Sequence, residues 1–250
     1  MAKSFIYDSI GLSESKIKAG TYSTTTFTPA EAQITNEHRV IDQSIGSVIT
    51  SFNNGDAIRF DLGSSQTANI LAVNFNGAED DQFKIYTGAS ATAMGSAILD
   101  DDFDVDSDGG WNVFTVSGSG RYWFLTCPDD TFLNMTEVII GTKYDIDMNF
   151  DLNNKIGEEF GTDVITSYGG NEYANKRHNP KTTWDWKWSN ISSSMKTSLE
   201  GVRDSVQDNK KFLYYDETSY HYVRMVSPMD FTEVAYQRYS TNIKLREQLA

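Results

Sequence analysis

The sequence has few of the residue types on which most enzymes and small secreted domains depend. Among its 250 residues are one cysteine, three histidines and four prolines. A single cysteine, Cys127, excludes an internal disulfide, and its apolar neighbours predict a buried, unreactive thiol. The histidines His38, His178 and His221 lie far apart, without the short spacing of a zinc pair. Walker, dinucleotide-binding, G-x-S-x-G and H-E-x-x-H motifs are all absent, so no catalytic signature is present.

Long apolar runs and an excess of basic residues are also missing. No run approaches the roughly 18 apolar residues of a membrane-spanning helix, and the first residues are too polar for a signal peptide, so we expect a soluble protein made in the cytoplasm. Residues 1–150 carry 8 lysines and arginines against 21 aspartates and glutamates, whereas residues 151–250 carry 13 against 14. The net charge of −14 therefore lies almost wholly in the first part, which argues against nucleic acid as a partner.

Residues 22–146 contain short apolar or alternating runs, separated by clusters of glycine, asparagine, aspartate and serine. The runs are Ala57 to Leu62, Ile70 to Asn76, Gln82 to Thr87, Trp111 to Val116, Arg121 to Thr126 and Thr136 to Ile140. Such spacing predicts an antiparallel β sandwich. Residues 1–21 precede this pattern and are predicted to form an N-terminal arm that pairs elsewhere.

Residues 147–250 are predicted to form a second, α+β domain, so the whole chain is predicted to be mainly β. Between Thr182 and Ser189, Trp184, Trp186 and Trp188 alternate with charged residues, which puts three indoles on one face of a strand. They could form a sugar-stacking platform. We interpret them as core, because the helix that follows has an apolar stripe of its own to cover.

That amphipathic helix is predicted over about residues 190–208, with Ser189 or Asn190 as its cap. Its apolar stripe is Ile191, Met195, Leu199, Val202 and Val206. Aromatic strands are predicted at Lys211 to Tyr215, Tyr220 to Val226 and Tyr236 to Leu245. Residues 144–182 are polar and rich in glycine and asparagine, which predicts a domain junction and long loops with weak strands around residues 163–168.

The acidic run from Asp100 to Gly110 is the best candidate for a metal site. Asp104, Asp106, Asp108 and Gly109 follow the D-x-D-x-D-G spacing of a calcium loop. A loop of the EF-hand type needs a glutamate eleven residues after the first aspartate, where this chain has Thr115. The missing ligand favours a solvated acidic hairpin loop, with a structural calcium ion as the alternative. We expect no other cofactor.

Carboxylate pairs are weak candidates for catalysis in so acidic a chain. Asp216 and Glu217, or Asp80 and Asp81, could form the acid and base of a glycosidase, but abundant aspartate makes such pairs uninformative. The loop aromatics Phe52, Phe103 and Phe132 are open candidates for ligand contacts. The expectation from the residues is a protein without enzymatic activity.

Two segments resemble known families. Asp56 to Gly63, the run from Ile70 to Asn76, Gly120 to Phe124 and Thr136 to Gly141 together resemble the galactose-binding-like, discoidin-type jelly roll. Members of that family often bind carbohydrate or lipid, and many hold a structural calcium. The resemblance covers about 120 residues and assigns no binding residue.

The C-terminal block resembles distal tail and tail-tip proteins of long-tailed bacteriophages. The shared pattern is a tryptophan-rich strand, a helix of about twenty residues and aromatic strands such as Lys211 to Asp216, Tyr222 to Met225, Phe231 to Val234 and Tyr239 to Glu247. This resemblance implies a structural subunit of a virion tail tip or baseplate, made in the host cytoplasm. Its implied partners are further copies in a ring, expected to be hexameric, and other tail proteins.

Two rival functions stay open. The first is a carbohydrate-binding module for adhesion to glycans of a host surface. The second is a small glycan-active enzyme. Oligomeric state, glycan binding and glycan turnover separate the three.

Overall fold

The computed structural model describes residues 2–23, 25–29, 36–44, 46–47, 49, 55–75, 82–95, 97–104, 110–126, 135–152, 154–207 and 209–248. Within these ranges the chain is mainly antiparallel β-sheet with a single α-helix, which confirms the predicted fold class. Contacts divide the chain into two units. One is Ile6–Lys143, and the other joins Met1–Phe5 to Tyr144–Leu249.

The first unit is the β sandwich. Its strands are β1 (Ser4–Tyr7, of which the last two residues belong here), β2 (Ile17–Ser23), β3 (Thr26–Thr28), β4 (Asp56–Phe75), β5 (Gln82–Gly88), β6 (Ala97–Asp104), β7 (Gly110–Thr126) and β8 (Met135–Asp145). Two short 3-10 helices, Glu14–Lys16 and Glu37–Ile41, complete it. The strand order is β6-β5-β7-β4-β8, and β2 pairs with β4 and β3.

The long strands β4 and β7 fold over the core. The pairing of β4 with β7 slips between Asp61 and Gln66, next to Gly63, whose φ is +79°. Phe60 lies before this bulge and Leu71 after it, yet both are buried in the same core. A bulge with a left-handed glycine lets one strand serve two layers. The short predicted runs are therefore halves of longer strands.

Residues 17–21, assigned to the arm by sequence, form most of β2. Ile17 pairs with Phe60 and is buried in the sandwich core. The apolar alternation of Ile17 and Ala19 is short, which is why it did not stand out from the preceding residues.

The second unit is an α+β domain. Its elements are β9 (Lys155–Thr166), β10 (Glu172–Ser192), α1 (Ser193–Val206), β11 (Lys211–Tyr215), β12 (Tyr220–Met225), β13 (Phe231–Ala235) and β14 (Arg238–Glu247). Its strand order is β11-β12-β14-β10-β9, with β13 on β14. The predicted strands at 211–215, 220–226 and 236–245 are confirmed to within about two residues.

The indole stripe of β10 is core. Trp184, Trp186 and Trp188 are each less than 5% exposed. The ring of Trp186 lies 4.3 Å from that of Tyr214 on β11 and stacks on Phe150 at 4.1 Å. Because β11 is three places from β10 in the sheet order, the sheet must curl to bring these rings together.

The helix begins later than predicted. β10 runs to Ser192, so Ile191 is a buried strand residue rather than the first turn of the helix. Ser192 caps α1 by accepting a hydrogen bond from Met195 N at 3.2 Å, and the predicted caps Ser189 and Asn190 lie in the strand. Four residues of the predicted stripe are buried on the helix, namely Met195, Leu199, Val202 and Val206.

The prediction of loops over residues 144–182 is wrong for most of that range. β9 and the first half of β10 form a long antiparallel hairpin there. Its ladder supplies the backbone hydrogen bonds, so the strands form without an amphipathic sequence pattern. None of the described helices is long and apolar enough to cross a membrane.

Candidate functional site

The most unusual surface of the second unit is the hairpin of β9 and residues 172–181 of β10, here called the ribbon. Its turn is closed by Ser167 N donating to Asn171 O at 2.7 Å and by Gly170 N donating to Ser167 O at 2.9 Å. Gly170 has a φ of +82°, which explains glycine at this position. The sequence Ser-Tyr-Gly-Gly-Asn thus marks the turn that joins the two strands.

Large apolar side chains stand in solvent along the ribbon. Ile156, Phe160 and Val164 are 71%, 67% and 57% exposed. They occupy even-numbered positions of one strand, so they leave the same face of β9, and we call them the apolar row. On the other face, Ile165 and its cross-strand partner Tyr173 are also exposed. Glu158 and Thr162 lie between the members of the apolar row on the same face. Singly exposed apolar residues are ordinary, but three large ones along one strand favour an interaction surface.

The apolar row continues the buried indole stripe past the edge of the core. Ile156 pairs directly with Trp184, so the two side chains lie on the same face of the sheet. Trp184 is 4% exposed and its neighbour Ile156 is 71% exposed. The core-facing surface of the sheet therefore extends onto a segment that no described residue covers.

β9 is also an edge strand. Among the described residues β9 pairs with β10 alone, at the end of the strand order. Edges are usually protected by short length, charged side chains, proline or bulges. β9 has 12 residues and no proline, its one lysine is at its first position, and its acidic residues are Glu158, Glu159 and Asp163. The register shifts near His178 add extra residues to β10 and leave β9 continuous.

Two ion pairs involve acidic residues of β9. Arg177 of β10 forms an ion pair with Asp163 of β9. At the base of the ribbon Arg246 Nη2 lies 2.6 Å from Glu159 Oε1. Exposed ion pairs of this kind contribute little to stability. The apolar row is therefore the feature that sets this surface apart.

A groove of about 860 Å³ lies beside the base of the ribbon. Its walls include Trp184, Ile156 and Val226, and its polar edge carries Lys244, whose Nζ is 3.4 Å from Asp185 Oδ2. Lys244 and Asp185 on this edge thus form an ion pair with each other. The groove offers an apolar floor with a polar rim, which is the chemistry of a binding surface.

Asp216 and Glu217, one of the carboxylate pairs considered for glycoside hydrolysis, lie in the turn between β11 and β12. Asp216 Oδ1 accepts hydrogen bonds from the backbone nitrogens of Thr218 and Ser219, each at 2.8 Å. Glu217 has a φ of +86° and faces Lys3, 3.6 Å from its Nζ. Burial alone would raise the pKa of the Asp216 carboxyl, but hydrogen bonds from Thr218, Ser219 and His221 outweigh it and hold that pKa well below its usual range. A carboxylate so stabilised is a poor general acid.

His221 is held in place by two carboxylates and an aromatic ring. Its Nε2 lies 3.0 Å from Asp216 Oδ2, and its Nδ1 lies 3.5 Å from Glu247 Oε1. Its ring sits 5.0 Å from that of Trp184. The other two histidines are far away in the chain, and His178 covers Gly161, where an added Cβ would lie 2.4 Å from its ring.

The predicted calcium ligands lie largely outside the described residues. Asp104 closes β6, whereas Asp106 and Asp108 fall between described segments. Cys127, Asp80, Asp81, Phe52 and Phe132 also fall outside them, as does the side chain of Phe103. Within the described ranges no group of three or more histidine, cysteine, aspartate or glutamate side chains could hold a metal ion. The calcium site stays a prediction.

The sandwich carries a second polar and aromatic cluster. The guanidinium of Arg59 lies between the rings of Phe27 and Tyr122, at 5.4 and 5.6 Å, and donates from Nη1 to Ala91 O at 2.9 Å. Tyr22 and Tyr86 pack at the margin of this cluster and stay partly exposed. We call this group the Arg59 cluster. It consists of Arg59, Phe27, Tyr122, Tyr22 and Tyr86. No sequence motif marks them, because they come from five separate strands.

No protein-family model and no curated protein matches the sequence. Among solved structures, similarity is found to carbohydrate-binding modules. A CBM32 module from Clostridium perfringens in complex with GalNAc-β-1,3-galactose is 13% identical, with a TM-score of 0.38 over 52% of this chain and 98% of that one. A CBM32 module from a family 31 glycoside hydrolase of the same organism is 17% identical, with a TM-score of 0.37 over 54% and 99%. The CBM32 module of AlyQ, in complex with 4,5-unsaturated mannuronic acid, is 21% identical, with a TM-score of 0.34 over 41% and 82%. Similarity at these scores says nothing of the ligand or partner of this chain.

Proposed function

We propose that the protein is a non-catalytic subunit of a larger protein assembly, which it joins through the ribbon of its second unit. The observation that carries this proposal is the apolar row, with Ile156, Phe160 and Val164 each more than half exposed on an edge strand. Each of the three side chains would contribute roughly 1.5–3 kcal/mol on full burial. A chain that keeps such a surface in water has a partner that covers it.

The more specific form of this proposal is a tail-tip or baseplate subunit of a tailed phage, located in the virion. It rests on the resemblance of the C-terminal sequence pattern to distal tail proteins. The ribbon supplies what such a subunit needs, which is a surface for neighbouring subunits. The last strand is not available for edge pairing with a neighbouring subunit, because β14 lies between β12 and β10 in the sheet order.

The test is to measure masses by light scattering for the purified protein alone and mixed with each product of the flanking genes. The wild type should form complexes, and Phe160→Lys combined with Val164→Lys should lose them. Tyr168→Lys is the matched control, because Tyr168 is fully exposed at the turn and outside the apolar row. A wild type that is monomeric and binds none of these proteins overturns the proposal, as would turnover of a glycan abolished by one carboxylate substitution.

A second candidate function is glycan binding by the sandwich. It is favoured by the Arg59 cluster, in which partly exposed tyrosines flank a guanidinium whose Nε is buried without a hydrogen-bond partner. Aromatic faces with an adjacent donor suit amphipathic ligands such as sugars. Binding to a glycan array that is lost in Tyr86→Ala, at unchanged melting temperature, would support it. Absence of binding to any glycan would exclude it.

A further inference from the structure

The identity of the partner can be argued from the sequence of β9 itself, and this step rests on the proposed function of the ribbon. Consider two copies of β9 side by side and antiparallel, with Phe160 opposite Phe160. Each Ile156 then faces the other copy's Val164, so the two apolar rows lie together on one face. Residues directly opposite on neighbouring strands interact most strongly.

The charges of β9 also suit this register. Glu158 faces Thr162 and Glu159 faces Gly161, so no acidic side chain stands opposite another. A shift of two residues in one direction places Glu159 opposite Glu159. A shift of two in the other direction places Glu159 opposite Asp163. Both alternatives put like charges directly across the strands, which is destabilising.

Shifts by one residue are excluded because they move every side chain of one strand to the opposite face of the sheet. They would set the apolar row of one copy on the same side as the charged, glycine-containing face of the other. Among the registers within two residues of this one, it alone suits both the apolar and the charged residues. This self-complementarity is expected of a surface that meets its own copy across a two-fold axis.

We propose that two copies of this protein associate by antiparallel pairing of their β9 strands, with Phe160 at the two-fold axis. The pairing extends the sheet of the second unit from one copy into the next, since β9 has a free edge among the described residues. The two apolar rows then form three cross-strand contacts, Phe160 with Phe160 and Ile156 with Val164 twice. One strand from each copy forms this interface, so we expect the association to be reversible.

Cross-linking tests the register. In a Cys127→Ser background, Phe160→Cys should form a disulfide-linked dimer under mild oxidation, because opposite Cα atoms lie within the roughly 4.4–6.8 Å that a disulfide spans. Ile156→Cys alone should not, because its copies are eight residues, or about 27 Å, out of register. Ile156→Cys mixed with Val164→Cys should cross-link. A dimer from Ile156→Cys alone, or none from Phe160→Cys, overturns the proposal.

Sedimentation equilibrium tests the association without a disulfide. Phe160→Lys sets two cations opposite each other and should raise the dissociation constant at least tenfold, whereas Tyr168→Lys should leave it unchanged. A wild type that stays monomeric at high micromolar concentration overturns the self-pairing. If that monomer still binds a flanking gene product through the apolar row, the proposed function stands and only the identity of the partner is wrong.

Discussion

Ser192 fixes where α1 begins. Its hydroxyl accepts from Met195 N, which satisfies one of the free amides of the first turn. Ser192→Ala should lower the free energy of unfolding by about 1 kcal/mol. Asn190→Ala, at the cap suggested by sequence, should change it by less than about 0.5 kcal/mol. Chemical denaturation of both variants checks this, and a larger effect at Asn190 would contradict the observed cap.

Asp216 should make part of the stability depend on pH. Its pKa is lowered in the folded state, so its contribution is complete above the unfolded value of about 4 and is lost as the pH falls below it. Asp216→Asn should therefore cost about 1–2 kcal/mol at neutral pH and less at pH values below about 4. Glu217→Gln is the adjacent control. A difference between wild type and Asp216→Asn that does not shrink in acid would refute this role.

Whether the acidic run from Asp100 to Gly110 binds calcium can be tested at a single aspartate. If calcium binds through Asp104, Asp106 and Asp108, the ion stabilises the folded state by mass action. Asp106→Ala should then lower the melting temperature only in the presence of calcium. Equal melting of the wild type with calcium and with chelator would show that the loop is merely a solvated hairpin.

Sequence patterns predicted the roles of some residues well. The alternation of Trp184, Trp186 and Trp188 predicted a strand with one core-facing side, and all three indoles are buried. The N-cap residue of α1 was harder to predict, because the side chains of Ser189, Asn190 and Ser192 can all cap a helix. The choice among them is made by the pairing of β10 with β14, which extends to Ser192 and keeps the earlier residues in the strand. Ser192 pairs with Arg238, which is distant in sequence, so this pairing leaves no local signal.

Among the elements, β10 is notable for being half core and half ribbon. Shortening a side chain at the buried end of β10 should lower the free energy of unfolding. Shortening an exposed side chain of β9 should leave it almost unchanged. Trp186→Ala should destabilise by about 3–5 kcal/mol, because it empties a site filled by a large ring. Ile156→Ala should change monomer stability by less than about 0.5 kcal/mol. Unfolding monitored at low protein concentration checks both, and comparable losses would show that the ribbon is covered within the monomer.

The ribbon was also the element that sequence described least well. Polar residues and glycines such as Gly157, Gly161, Gly169 and Gly170 are typical of loops. Strands exposed on both faces need no alternation, so the strongest sequence signal for β structure is absent. The predicted strand around residues 163–168 was the visible part of a hairpin whose other half lies in β10. By contrast, β11 and β12 have buried faces and were placed almost to the residue.

At the scale of the whole molecule, the second unit uses both ends of the chain. Phe5 is fully buried, with its ring 5.7 Å from Phe212 and 5.9 Å from Tyr214. Phe5→Ala should therefore destabilise the second unit by about 3–5 kcal/mol, although it lies far from that unit in sequence. Leu152→Ala, at a residue 93% exposed, is the control. Indole fluorescence during denaturation checks the effect, and an unchanged transition would mean that residues 1–5 do not belong to this unit.

The division of the chain also says something about how such a protein can change over generations. The sandwich runs from Ile6 to Lys143 and is inserted within the sequence of the other unit. Its two ends meet, because Thr142 Oγ1 donates to Ser9 Oγ at 2.9 Å. A domain whose first and last residues lie close together can be inserted into another domain, or removed from it, without disturbing the surrounding fold. Recombination could exchange it for another domain with adjacent termini and leave the host unit, with its apolar row, intact.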